Sequence, residues 1–268
     1  MSILTAFPQI ESVADLAKGK KYRVFLVGGF LRDLKLSENG PPMTFGNTRH
    51  EGIKAFGGDT LDFDFAVDHD AVPFARLFAK KIKGAFVLLD DEHGSARVVK
   101  SANGIIHTYD FTDFRGGTIK KDLSLRDFTV NTYSLDLENN KDVSPASAMK
   151  DLKKKIIRMV SVRSFKDDPL RLMRAFSLSA VTGFKIETKT AARIKGDVHL
   201  INDAAMERIR EELFKVLQSS RAYKILLELH HIGLLERVIP QIAVMFGVNQ
   251  GGYHHLDVWK HSLEVLRC

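Results

Sequence analysis

Two carboxylates stand one residue apart in the segment TLDFDFAV, at Asp62 and Asp64. Alternate side chains of an extended strand share a face, so both acids point one way while Phe63 and Phe65 point the other, into a core. Carboxylates held side by side repel each other unless a cation lies between them, and a hard ion such as Mg²⁺ takes oxygen ligands from a few carboxylates and from substrate phosphates. The same spacing also suits an edge strand that shows two acids to water. Upstream, the apolar run VFLV leads straight into Gly28 and Gly29 and then into FLRDLKL, which has helical spacing. Glycines at such a junction let backbone N–H groups approach a phosphate closely, the helix start adds partial positive charge, and Arg32 offers a forked donor. An ordinary tight turn uses the same two residues. A phosphate cradle followed by a metal-binding strand makes a triphosphate site, where metal ions bridge the phosphates and assist in-line attack.

A second constellation lies in DDPLRLMRAF, where Asp168 and Arg171 are three residues apart at an expected helix start. One reading is structural: Asp168 caps the helix, Pro169 takes its first position, and Arg171 pairs with Asp167 or Asp168 at the surface. The other comes from base chemistry. Cytosine and adenine both present an exocyclic amine donor beside a ring-nitrogen acceptor, whereas uracil and guanine present a carbonyl beside an N–H. One carboxylate and one guanidinium therefore select C and A together, and a wrong base leaves buried polar groups unpaired at a cost of about 1–3 kcal/mol each. Arg174 continues the basic face as a candidate phosphate contact.

The elements that must position these groups change character midway along the chain. Short apolar strands at Tyr22 to Val27, Thr60 to Val67, Ala85 to Leu89, Ala96 to Val99 and Ile105 to Phe111 alternate with helices in the first half. From Asp168 onward the period is helical through DDPLRLMRAFSLSAV, ETKTAARIKG, AAMERIREELFKVLQ and RAYKILLELHHIG. Between the first two strands, residues 37–59 are rich in Gly, Pro and Asn and read as a mobile surface loop. The basic run LKKKIIR reads as a solvated surface or as a binding patch. With 268 residues, 44% hydrophobic and 27% charged, the chain can bury a sizeable core in one large domain or two to three small ones. Its formal charge of +7 favours polyanionic partners, because neutralised phosphates release counterions. The single cysteine, Cys268, closes no internal disulfide, which fits a cytoplasmic location. No apolar run suits a membrane span, and the start MSILTAFPQI lacks the features of a signal peptide, so the mature protein is expected to begin at Met1.

LVGGFLRD followed by DFDFAV resembles the pattern of the polymerase beta-like nucleotidyltransferases, within them the bacterial class II branch of tRNA CCA-adding enzymes and poly(A) polymerases. The likeness runs on through RGGTIKKDLSLRDFTVNTYSLD and DDPLRLMRAF to AAMERIREEL, covering residues 20–240. It implies an α+β fold. A nucleotidyltransferase head over residues 1–140, with a mixed sheet of about five strands, would precede a helical neck over 141–220 carrying the base template, then a helical body over 221–268 that starts an HD-like region. It implies that Asp62 and Asp64 hold the metal ions and that Asp110, in IIHTYDF, is the acid that often joins them. Arg126, Asp127 and Asn131 of LRDFTVN fall on the positions that meet sugar and phosphates, although a capped, buried helix start would also explain them. Asp168 and Arg171 fall on the protein template for incoming CTP and ATP, with Asp167 ahead of them where relatives more often have Glu.

The activity so implied is CMP and AMP addition to the tRNA 3′ end with Mg²⁺. A CC-adding or A-adding specialist, a poly(A) polymerase and a non-catalytic RNA-binding protein are the alternatives. Two departures stand out: the 37–59 loop is longer than the family pattern, and Ser177 stands where many relatives carry Arg. The terminal YHHLDVWKHSLEVL resembles the entry to an HD-type domain, but His254, His255 and His261 lack the later His-Asp pair and form no complete ligand set. Oligomeric state is not legible in the sequence.

Overall fold

Strand alternation sets the architecture of the first half. The structure, a computed structural model, describes residues 3–37, 60–249, 251 and 256–267. All of the expected 37–59 loop except Ser37 lies outside the described residues, as do His254, His255 and Cys268. Seven strands form one mixed sheet: β1 (Val24–Val27), β2 (Thr60–Val67), β3 (Ala85–Asp90), β4 (Ser95–Ala102), β5 (Ile105–Asp113), β6 (Ser134–Asp136) and β7 (Lys141–Asp142). Their spatial order is β3-β4-β5-β2-β1-β6-β7, with β2 and β5 parallel and the other pairs antiparallel. The five strands read from the sequence form the body of this α+β sheet. β6 and β7 extend it by segments of three and two residues, too short to show a period.

By contact the chain divides into two compact units, Met1–Arg126 with Val130–Leu152, and Asp127–Thr129 with Lys153–Cys268. The first unit holds the sheet and helices α1 (Ile3–Ala6), α2 (Pro8–Lys20), α3 (Gly29–Ser37), α4 (Ala71–Ile82), α5 (Ile119–Ser124) and most of α6 (Ala146–Lys154). In α4 the buried residues Ala71, Phe74, Ala75, Phe78 and Ala79 recur at helical spacing and form one apolar stripe. Phe74 and Phe78 meet Phe111, and Phe78 meets Tyr109, at ring distances of 5.0–5.4 Å, while Phe30 of α3 sits 4.8 Å from Phe63. These helices cover the face of the sheet carrying Phe63, Phe65, Tyr109 and Phe111. The opposite face carries Asp62, Asp64 and Asp110, and further along it Phe25, Val27 and Ala66 pack under Phe114, Ile119 and Val143.

The second unit contains a two-stranded parallel ribbon, β8 (Ile156–Ile157) with β9 (Lys185–Ile186). Its helices are α7 (Ser164–Asp167), α8 (Arg171–Thr182), α9 (Thr188–Asp197), α10 (Met206–Leu217), α11 (Ala222–His231), α12 (Leu235–Val238) and α13 (Val258–Val265). Helix α8 is the hub, packing on both α10 and α11 and burying Leu172, Met173, Ala175, Phe176 and Ala180. Among the described residues no helix is long and apolar enough to cross a membrane.

Candidate active site

The acids of β2 are brought into one row by strand register. Val27 of β1 lies opposite Asp64, Asp64 lies beside Asp110 of β5, and Asp110 lies opposite Arg97 of β4. One step along, Asp62 lies beside Thr108, whose hydroxyl donates to Asp62 Oδ1. Residues paired across adjacent strands share a face, so the three carboxylates, Thr108 and Arg97 face the same side. Asp62 is exposed, and Asp64 and Asp110 are half-buried. Arg97 donates to both oxygens of Asp110, Nε to Oδ1 and Nη2 to Oδ2, each at 2.7 Å. That bond holds the Arg97 guanidinium above its ordinary pKa, and the charges of Asp110, Asp62 and Asp64 add to the effect.

The Gly-Gly turn abuts the acid row. Gly28 adopts φ +83°, and a Cβ there would lie 2.7 Å from Asp64 Oδ2, so the turn backbone passes directly over that carboxylate. Its N–H donates to the Tyr133 carbonyl at 3.3 Å, and its carbonyl accepts from Arg32 N as α3 begins at Gly29. Arg32 is buried. Its fork donates to Asp33 at 2.7 and 3.0 Å, and its Nη1 donates to Asn131 Oδ1 at 2.7 Å. Two residues separately expected at sugar and phosphates are thus joined beneath the turn. Arg126 donates to the buried Asp122 at 3.0 Å, sharing it with Arg115 at 3.1 Å.

The donor set fits a hard divalent ion: Asp62 and Asp64 present carboxylate oxygens on an accessible face, and a hydroxyl orders one of them. Among the described residues, no group of three or more His, Cys, Asp or Glu converges as a ready-made cage. Mg²⁺ completes its shell from one or two carboxylates, water and substrate phosphate rather than from an all-protein cage, so two acids suffice.

Asp127, Asp168, Arg171 and Arg174 belong to the second unit. Asp127 is buried; its Oδ1 accepts from Phe128 N at 2.7 Å and its Oδ2 meets Arg174 Nε at 3.0 Å. Asp168 is not the cap expected of it. Helix α8 starts at Arg171 with Leu170 as its cap residue, and Asp168 opens a preceding turn. The turn is closed by Arg171 N donating to the Asp168 carbonyl at 3.1 Å and by Leu170 N donating to Asp168 Oδ1 at 3.2 Å. Pro169 explains the shift, since a residue before proline is steered away from helical backbone. The Asp168 carboxylate takes the fork of Arg208 from α10 at 3.1 and 3.5 Å. Arg171 is buried and donates to the Ser164 carbonyl at 3.3 Å. Ser177 donates to the buried carboxylate of Glu212, which also accepts from Lys215 at 2.8 Å.

Thr108, Arg97, Asp122 and Arg208 were not singled out by the sequence reading. Thr108 precedes Asp110 by two residues in a strand, a signal that places it on the acid face. Its pairing with Asp62 depends on a register between distant segments.

The sequence pattern described as "Poly A polymerase head domain" matches residues 24–158, half of the chain, and that described as "Probable RNA and SrmB- binding site of polymerase A" matches residues 183–246. The chain is 32% identical over 234 residues to a CC-adding tRNA nucleotidyltransferase of Geobacter sulfurreducens, covering 87% of this chain and 49% of the relative. It is 35% identical over 215 residues to an A-adding tRNA nucleotidyltransferase of Deinococcus radiodurans, covering 78% and 48%. It therefore spans about half the length of these relatives. A solved structure described as a CCA-adding enzyme, apo form I, superposes with a TM-score of 0.69 at 27% identity, over 87% of this chain and 52% of that one.

Proposed function

The chain belongs to the poly A polymerase head-domain family, and from that membership we propose that it transfers CMP and AMP from CTP and ATP to the 3′ end of tRNA. In the reaction the terminal 3′-oxygen forms a bond to the α-phosphorus, and the bond from that phosphorus to pyrophosphate breaks. The observation that carries this reading is the pair Asp62 and Asp64 on one face of β2, the first exposed and the second half-buried against the Gly28 turn, the arrangement a triphosphate site needs.

Each residue set has a distinct task. Asp62 and Asp64 would hold Mg²⁺, with Thr108 fixing the rotamer of Asp62. When bound, the metal supplies Lewis acidity at the attacking hydroxyl and neutralises charge on the triphosphate. The Gly28–Gly29 turn and the start of α3 bring N–H groups and partial positive charge to the phosphates. Arg32 and Asn131 brace that turn from below and, with Arg126 and Asp127, meet the sugar and phosphates. Asp168 and Arg171 read the donor–acceptor edge shared by cytosine and adenine. For Asp168 this means giving up one bond of the Arg208 fork to the exocyclic amine, which a solvent-facing pair does at little cost.

The direct test incubates the protein with Mg²⁺ and tRNAs ending in the discriminator base, in C or in CC, supplying labelled CTP alone, ATP alone, or both. Incorporation of both nucleotides in sequence is expected, and no incorporation in any cell of the matrix sinks the proposal. The relatives named as CC-adding and A-adding favour a second reading, in which the chain performs one half of the addition. CMP without AMP marks the first specialist, AMP only on CC-ended tRNA the second, and long A-tails on unrelated RNA a poly(A) polymerase. Asp62→Ala is expected to abolish incorporation while leaving RNA affinity equal or higher, and an RNA-binding protein without catalysis would show no incorporation to lose.

A further inference from the structure

The three acids of the row are not equivalent. Asp62 accepts from the Thr108 hydroxyl, Asp64 lies against Gly28, and Asp110 has both oxygens occupied by the Arg97 fork. A planar guanidinium seated on a carboxylate neutralises its charge and uses the lone pairs on the near side of both oxygens. A divalent ion would compete for the same electrons. Arg97 is fixed by register directly opposite Asp110, and no three-acid cage forms among the described residues.

We propose that Arg97 is a positioning residue that withholds Asp110 from the metal ion, leaving Asp62 and Asp64 as this chain's ligands. The inference rests on the reading of those two acids as metal ligands. With the fork in place the row carries three negative charges and one positive, and its two remaining acids form an incomplete shell. The ion is then held firmly only when triphosphate oxygens complete that shell, which ties metal occupancy to nucleotide occupancy. A third acid released from its guanidinium would hold the ion without substrate.

The test is Mn²⁺ binding to the full chain without nucleotide, with free Mn²⁺ read by electron paramagnetic resonance. The proteins are wild type, Asp110→Asn, Arg97→Gln, the double variant and Asp62→Asn. The side chains of Arg97 and Asp110 are 42% and 24% exposed, so neutral replacements leave the core intact, and far-ultraviolet circular dichroism checks this. Removing a positive charge tightens cation binding generally, and the double-mutant cycle cancels that effect. Asp110→Asn is expected to weaken Mn²⁺ binding less than about threefold when Arg97 is present and about tenfold or more in the Arg97→Gln background, where the acid has become a ligand. An equal loss in both backgrounds overturns the proposal. Asp62→Asn separates the two levels: wild-type Mn²⁺ affinity in that variant would remove the underlying assignment of the metal ligands, whatever the Asp110 arms give.

Discussion

Gly28 is held to its identity by two independent constraints. Its φ of +83° is open to glycine at no steric cost, and the space a Cβ would fill is occupied by Asp64 Oδ2 at 2.7 Å. Gly28→Ala must therefore strain the turn and push the carboxylate aside together. The expected result is a loss of about 1–3 kcal/mol in urea unfolding, together with weaker Mn²⁺ binding. Unchanged values for both would mean that the turn relaxes freely and does not shape the site. Ser177 is a second residue whose surroundings fix its worth. Its hydroxyl donates to Glu212, a carboxylate 5% exposed that also accepts from Lys215. Ser177→Ala should destabilise by about 1–3 kcal/mol by leaving a buried acceptor short of a donor, and a midpoint within error of wild type would show that water replaces the hydroxyl. The chemistry of both positions differs in legibility. Two glycines between an apolar strand and a helix announce a close approach, whereas nothing around Ser177 names its partner 35 residues away.

At the level of elements, β5 is read differently on its two faces. Thr108 and Asp110 face the acid row, while His107, Tyr109 and Phe111 face the helices, with Tyr109 pushed up to about 12 by burial. Burial also lowers the pKa of His107 below its ordinary value of 6.5, because the charged form is penalised in the interior. The unfolded chain then binds the proton more readily than the folded one, so stability is complete above pH 6.5 and declines as pH falls below it toward the depressed folded pKa. Thermal unfolding between pH 7.5 and 5 should show this decline, and His107→Gln should flatten it. A variant that keeps the wild-type slope would assign the acid sensitivity to other groups. Alternation within a strand made the faces of β2 and β5 legible in the sequence, which is why Asp62 and Asp64 stood out. Register between strands is set by packing over tens of residues, so Thr108 beside Asp62 and Arg97 against Asp110 emerged only from the fold. The shifted start of α8 has a local cause, the turn imposed by Asp168 and Pro169, and the short β6 and β7 carry too few residues to show any period.

For the molecule as a whole, charge sets how it would meet the RNA proposed as its substrate. The excess of 40 Lys and Arg over 33 Asp and Glu gives +7, yet the acid row presents carboxylates on an open face. Attraction must therefore come from basic surfaces elsewhere, and the exposed run Lys153, Lys154 and Lys155 is one such surface in the second unit. Each neutralised phosphate releases counterions, so contact with about three to four phosphates gives a slope near −3 in log affinity against log salt, and a rise from about 50 to 200 mM KCl weakens tRNA binding roughly sixtyfold. Replacing all three lysines with alanine should reduce the magnitude of that slope by about 1–2 if the run touches the backbone. Asp62→Ala should leave the slope unchanged, because an acid contributes repulsion and releases no phosphate counterion. A slope near zero in the wild-type protein would mean that RNA is held by stacking and neutral hydrogen bonds. The basic surface would then matter for solubility and encounter rather than affinity.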